Sequence, residues 1–308
     1  KNSAIASILA DTGDEKAAEM AISQTPVKGM PLNIAYQYTG QALPAGEVSQ
    51  ALQNGMTSLF DKHASEGGKA LDYNGVKNDK DFVNLVRLAH SLQTCDPSSL
   101  SAGERMSFFI NIYNALIVHA MTILGPPESF LSRMNFYNDV KYNIGGSIYS
   151  CNDIENGVLR GNRASPASVG EVLPFVKSKG PFKEGDPRLP LVIKSPDPRI
   201  HFALNCGAKS CPAIKVYTPD TLEIGLQSAA EAFCSDPSNV DFDADSNTLK
   251  LSKIFQWYRG DFGSDSEFYE LLKQAAVGER GKQLGTFLDN SKEVKVEFVP
   301  YDWDLNSA

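Results

Sequence analysis

RMSFFINIYNALIVHAMTIL, residues 105–124, is the most hydrophobic stretch of the chain. Its apolar residues fall on nearly every side of a helix, and such a helix must be covered on most sides. Ser101, with Glu104 three residues on, has the form of a capping box, and Gly125, Pro126 and Pro127 end the run. A central buried helix over residues 105–124 is expected. No uninterrupted apolar stretch reaches the ~18 residues that a bilayer span needs, so no transmembrane segment is expected.

Upstream, residues 47–63 set Val48, Leu52, Met56, Leu59 and Phe60 near one face. Residues 79–93 do the same through Phe82, Leu85, Val86, Leu88, Ala89 and Leu92. Both read as amphipathic helices. Residues 1–46 read as an extended arm. An Ala-rich, weakly helical stretch (residues 4–22) meets a segment broken by Pro26, Gly29, Pro31, Gly40, Pro44 and Gly46. The arm wraps the domain or reaches a partner in a larger protein complex.

Downstream, strand signals take over. Residues 139–150 read as a hairpin turning at Gly145-Gly146, and residues 152–160 as a short helix. Residues 197–206 are apolar through most of their length and read as a buried strand. Residues 219–233 return to helix, residues 239–252 suggest a second hairpin and residues 295–305 a last strand. Helices first and strands later, without βαβ alternation, point to α+β: a helical N-terminal half packed on a mostly antiparallel sheet from the C-terminal half. The elements interleave too closely to cut, so residues 47–308 are expected to form one domain.

The formal net charge of -8 argues against nucleic acid, whose phosphates would repel an acidic chain lacking a long basic run. Five cysteines, Cys95, Cys151, Cys206, Cys211 and Cys234, are too few and too scattered for a disulfide-built scaffold. The odd count leaves at least one thiol free or paired between chains. The sequence starts at Lys1 rather than Met. A cleaved targeting peptide, with a secreted or organelle-lumen (for example plastid) location, is one reading; a removed tag or a disordered start is the other.

Chemistry gathers at four places. Asn111, Asn114 and His119 lie on the apolar helix, where each needs partners or destabilises the fold by ~1–3 kcal/mol. The asparagines read first as ties to packed loops. His119 reads equally as a tie or as a base oriented by a carboxamide. Asp153, Glu155 and Arg160 form a second group: a Glu155–Arg160 ion pair is the first reading, and Glu155 orienting a histidine the second. The third is DPRIHFALNCGAKSCP, residues 197–212. On a regular strand His201 and Cys206 point to opposite faces, so the base for a Cys206 nucleophile would have to be His119, unless the strand ends at the Asn205–Gly207 turn. Cys206 and Cys211 read first as a disulfide or buried thiols, second as a catalytic thiol beside Arg199 and Lys209, and least as a metal site, since the second ligand pair of structural zinc is missing. Last, LSKIFQWYRGDF (251–262) and YDWDLN (301–306) hold Trp257 and Trp303, read as packing anchors with Asp261 and Asp302 as partners for their N–H groups. No Walker loop, G-x-S-x-G or H-E-x-x-H is present, and neither a metal nor a cofactor is expected.

FFINIYNALIVHA, CNDIENGVLR, DPRIHFALNCGAKSCP, LSKIFQWYRGDF and YDWDLN together resemble the domain-of-unknown-function 547 family, over about residues 52–306 and in the family's order. The resemblance implies a compact α+β fold and motif residues Asn111, Asn114, His119, Glu155, Arg199, His201, Cys206, Cys211 and Pro212. It also implies relatives in bacteria, plants and algae that often follow a signal or transit peptide. It implies no activity. A His/Cys/carboxylate set on such a fold is loosely papain-like or transglutaminase-like by analogy. Two functions follow. One is an accessory or binding protein with a buried His/Cys/carboxylate network lined by Asn111, Asn114, Arg199, Cys211 and Trp257. The other is a thiol-dependent hydrolase or acyltransferase, with Cys206 as nucleophile, His119 or His201 as base and Glu155 or Asn111 orienting it. In either case His119, His201, Cys206 and Glu155 are expected to converge.

Overall fold

The computed structural model describes residues 12–24, 26–127, 129–166, 179–291 and 293–308. Its helices lead and its strands come late, as an α+β chain requires. Helix α1 (Thr12–Ser23) packs against the helix at Lys80–Ser91 and is followed by the Pro/Gly segment, whose Leu32, Tyr38 and Leu43 are buried in the main core. Helices α2 (Ala45–His63), α3 (Tyr73–Lys77) and α4 (Lys80–Ser91) come next. Asp72 and Asp79 cap α3 and α4, each side chain accepting from backbone N–H groups of the first turn. Helix α5 (Ala102–Leu124) is the central helix, and its capping box is complete: Ser101 Oγ accepts from Glu104 N–H and Glu104 Oε2 from Ser101 N–H. It alone among the described residues is long and apolar enough to cross a membrane, but 89% of that apolar window is buried inside the protein. Burial in the core thus accounts for its hydrophobicity.

After α6 (Phe130–Asp139), strands β1 (Lys141–Ile144) and β2 (Ser147–Ser150) pair antiparallel. Gly145 and Gly146 turn the hairpin at φ +58° and +83°, the left-handed pair that a two-residue type I′ turn demands. A π-helical segment follows at Asp153–Leu159. Helix α7 (Leu222–Cys234) leads to β3 (Val240–Asp243) and β4 (Thr248–Ser252), which form the second hairpin. Then come α8 (Lys253–Trp257), α9 (Asp265–Ala275), α10 (Gly278–Asn290) and β5 (Lys295–Val299). Strand β5 joins β4 in parallel, with Leu251 opposite Phe298. The sheet is therefore two small sheets, one of them mixed, rather than one mostly antiparallel layer.

Residues 197–206 are not a strand. Pro198–Phe202 form a short 3₁₀ turn, with Asp197 accepting from Arg199 N–H at 2.9 Å. Asp-Pro is an N-cap followed by an N1 proline, and this local start signal outweighs the apolar run. The turn places Ile200 in the main core around α5 and Phe202 in a second apolar cluster with Phe233, Phe255, Phe262 and Phe268. His201 lies between the two.

The N-terminal arm is part of the main core. Asn33 is fully buried; its amide donates to Ala89 O and Asn143 O, and its Oδ1 accepts from Asn143 N–H. Tyr36 stacks on His90 at 3.8 Å, and Arg87, wholly buried, pairs with Asp14 at 3.1 Å. Within the stretch read as weakly helical, residues 4–22, the arm forms the helix Thr12–Ser23; residues 1–11 lie outside the described residues.

Candidate functional site

The two helical asparagines hold the loops that carry the site. Asn111 donates to Tyr217 O at 2.7 Å and accepts from Tyr217 N–H at 3.1 Å. Asn114 donates to Ala203 O at 3.0 Å and accepts from Asn205 N–H at 2.9 Å. Each carboxamide thus pairs with backbone as a strand neighbour would, and loops with no ladder of their own are satisfied from the helix. Asn205 continues the chain of bonds, donating to Pro212 O at 2.6 Å and accepting from Gly207 N–H at 2.7 Å. This is the role of ties to packed loops read from the sequence.

His119 goes elsewhere. It sits five residues, about 140°, around the helix from Asn114. Its Nδ1 meets Tyr142 OH at 2.8 Å and its ring packs edge-on against Phe82. Burial, with some repulsion from His90, lowers its pKa to about 3, so it is neutral near pH 7.

His201 belongs to a different network. Its Nε2–H donates to Asp261 Oδ2 at 2.9 Å, and its ring stacks on Tyr258 at 3.8 Å. Burial lowers the His201 pKa, partly offset by Asp261. Asp261 also takes both Nε and Nη2 of Arg160, at 2.5 and 3.0 Å, and Arg163 Nη1 at 2.6 Å. Burial alone would raise the carboxyl, but the His201 and Arg160 hydrogen bonds and the Arg160 charge outweigh it and hold Asp261 well below the usual carboxylate range. Arg160 therefore pairs with Asp261 rather than Glu155. Asp261 and Asp302 do not serve the tryptophans as expected. Asp261 is taken by two arginines and a histidine, and Asp302 accepts from Asp304 N–H at 2.9 Å.

Glu155 is buried and accepts from Tyr258 OH and, at 3.4 Å, from Tyr113 OH. The π-helical turn presents it. Arg160 N–H reaches back five residues to Glu155 O at 2.8 Å, the long bond of a π turn, a form that concentrates at functional sites. Tyr258 thus bridges Glu155 and His201, and Arg160 lies over the same ring at 4.9 Å.

Cys206 and Cys211 form a disulfide, with Cα atoms 6.2 Å apart. Cys211 Sγ accepts from Cys206 N–H at 2.9 Å, and Tyr301 OH lies 3.2 Å from Cys211 Sγ and 3.4 Å from Cys206 Sγ. Tyr137 OH donates to Cys206 O at 3.0 Å. The other cysteines are free and buried. Tyr301 packs with Trp257 and Trp303, and Arg133 lies over Trp303 at 5.0 Å. Both tryptophans are half-buried, and Trp257 packs against the second apolar cluster. A cleft of about 210 Å³ opens here, lined by Met121, Pro126, Arg133, Tyr137, Cys206 and Trp303 among others. Arg199 is outside this group: it pairs with Asp197 and Glu223 on a separate, wider groove. Among the described residues, no three of His, Cys, Asp and Glu stand together to hold a metal ion.

Glu155 and His201 thus meet through Tyr258, the disulfide lies beside Tyr301, and His119 serves the core beside β1. Of the four residues expected to converge, Glu155 and His201 share a neighbour, and His119 bonds to Tyr142 instead. Tyr258, Asp261 and Tyr301 make these contacts from motifs whose sequence reads as packing; polar tips on an aromatic run were the available signal. Residues 97–234 match the model of a family described as protein of unknown function, DUF547. Over these residues the chain is similar to that family. The DUF547 match ends with α7, so it holds Glu155, His201 and both bridged cysteines but not Tyr258, Asp261 or Tyr301. No curated protein and no solved structure matches the chain.

Proposed function

We propose that this protein is a binding module, acting as an accessory part of a larger assembly, whose ligand cleft lies over the Cys206–Cys211 disulfide. The observation that carries the reading is a closed disulfide in the wall of a cleft with two aromatic rings, one cation, Arg133, and one carboxylate, Asp304, which is paired with Lys209 at 3.3 Å. Met121, Pro126, Pro127, Tyr137 and Trp303 supply an apolar lining. Among the described residues no carboxylate pairs with Arg133, whose guanidinium lies over Trp303. At about 210 Å³ the cleft is smaller than the ~300 Å³ at which small-molecule sites begin. It suits one acidic side chain or chain end of a protein partner better than a cofactor. A thiol-dependent hydrolase is less well supported: both candidate sulfurs are bonded to each other, and their hydrogen-bond neighbours are Tyr301 OH and a backbone N–H rather than a histidine.

Trp257 and Trp303 are the only tryptophans and lie 5.5 Å apart, so intrinsic fluorescence reports on the cleft. Short peptides ending in Asp or Glu are expected to shift the emission saturably, and their amidated Asn or Gln counterparts are not. Arg133→Ala should remove the difference. An emission blind to charge across the series, or ester hydrolysis by the unreduced protein, would overturn the proposal.

A further inference from the structure

The loop Cys206–Cys211 keeps its shape by bonds other than the disulfide. Cys211 N–H donates to Ala208 O at 3.0 Å, Lys209 N–H to Asp304 O at 2.9 Å, and Asn306 N–H to Gly207 O at 2.9 Å. Ser210 Oγ accepts from Asp302 N–H at 2.9 Å. A bridge across so short a loop constrains the unfolded chain little, because the constraint grows with the number of residues enclosed. Its two sulfurs are also unequal. Cys206 is half-buried and lines the cleft; Cys211 is buried and does not. The surroundings differ as well: Cys206 N–H donates to Cys211 Sγ at 2.9 Å, and Tyr301 OH lies 3.2 Å from Cys211 Sγ and 3.4 Å from Cys206 Sγ, within reach of either.

We infer that this disulfide is a site of thiol–disulfide exchange, taking thiols that enter the cleft, with Cys206 the attacked sulfur and Cys211 the leaving group. A thiolate forms a new S–S bond to Cys206 Sγ, the Cys206–Cys211 bond breaks, and its electron pair departs on Cys211. The two donors receive that charge, and hydrogen bonds to a thiolate speed its departure. A second thiolate of the substrate then displaces Cys206. The substrate dithiol is oxidised to a disulfide, the Cys206/Cys211 pair is reduced, and the two protons lost by the substrate balance those gained by the pair. The substrate class is a protein or small-molecule dithiol, and the reverse reaction passes through the same mixed disulfide. The inference goes beyond ligand binding and is tested separately from it, since the fluorescence titration uses the oxidised protein.

Full-length Cys211→Ser and Cys206→Ser variants, each with one site thiol, are incubated with oxidised glutathione and followed by intact mass. The remaining cysteines are buried and leave the count clean. Cys211→Ser is expected to gain one glutathione at least ~10-fold faster than Cys206→Ser, following the access of the two sulfurs. In the unsubstituted protein, reduced glutathione should open the bridge while the far-UV circular dichroism stays unchanged. Tyr301→Phe should slow that opening about tenfold, the lower end of one hydrogen bond to a charged group. If a serine variant does not fold, partial reduction of the unsubstituted protein followed by alkylation and peptide mapping shows which sulfur carries glutathione. Equal rates at the two cysteines, glutathione on Cys211, or a bridge that opens only when the chain unfolds would each overturn the inference.

Discussion

Asp261 accepts from Arg160, His201 and Arg163 at once, and replacing it by Asn removes the carboxylate bonded to two buried groups, leaving Glu155 as the charge that still acts on them from further away. The side chains of Asp261, Arg160 and His201 are only 5%, 6% and 2% exposed, so solvent screens this network little. In Asp261→Asn the Arg160 guanidinium stays buried without its counter-ion, and the new amide N–H₂ faces other donors. Breaking a buried pair from one side costs ~3–5 kcal/mol, far more than the ~0–1 kcal/mol of a surface pair. For a chain of this size that lowers the melting temperature on the order of 10 °C. Urea denaturation followed by circular dichroism at pH 7 measures it. Arg160→Met combined with Asp261→Leu should recover much of the loss, because the uncompensated charge is then gone. The dependence on pH has a defined sign. A carboxyl whose folded pKa is depressed contributes stability that is present above its unfolded pKa of ~4 and lost as pH falls through the folded value. The unsubstituted protein should therefore lose this contribution below about pH 4, and Asp261→Asn should lack it throughout. A loss under ~1 kcal/mol at pH 7, within the range of surface pairs, would refute the reasoning.

His119 and His90 are buried and neutral, their pKa values lowered by burial to about 3 and about 4. The unfolded chain takes up those protons below its ordinary pKa of ~6.5, so stability should fall as pH drops from about 6.5 towards 4.5, by up to ~1.4 kcal/mol per pH unit for each histidine. His119→Gln should flatten that slope in urea titrations, and an unchanged slope would count against it. Removal of residues 1–46 takes away Asn33 and the Asp14 partner of Arg87 and strips the core of Leu32, Tyr38 and Leu43. The truncated chain is expected to lose cooperative unfolding by circular dichroism, and retention of a sharp transition would show that the arm only covers a finished domain.

Strong periodicity was readable where it was long. The 3.6-residue pattern placed Ala45–His63, Lys80–Ser91 and the central helix, and Gly145-Gly146 placed the first hairpin. The pattern failed where a local start signal opposed it, at Asp197-Pro198. It also passed over Asp265–Ala275, although Ser264 and Glu267 there form a complete capping box. At the site, the sequence named Glu155, His201 and the cysteines but could not supply their order in space. His119 shares a helix with Asn114, and helical geometry turns it to the other side. Tyr258 contacts Glu155 and His201, and Tyr301 contacts the cysteines, from beyond residue 250, and no local pattern in the chain relates residues so distant in sequence.

The turn at Pro198–Phe202 has a consequence for how the molecule comes apart. Three consecutive residues are each committed to a different place: Ile200 to one apolar cluster, Phe202 to the other, and His201 to the carboxylate of Asp261 between them. Neither cluster can open far without pulling on the other through about 7 Å of backbone. Amide protons of the C-terminal sheet and of the central helix should then exchange with deuterium through one shared opening event, rather than as two regions that fray at separate rates.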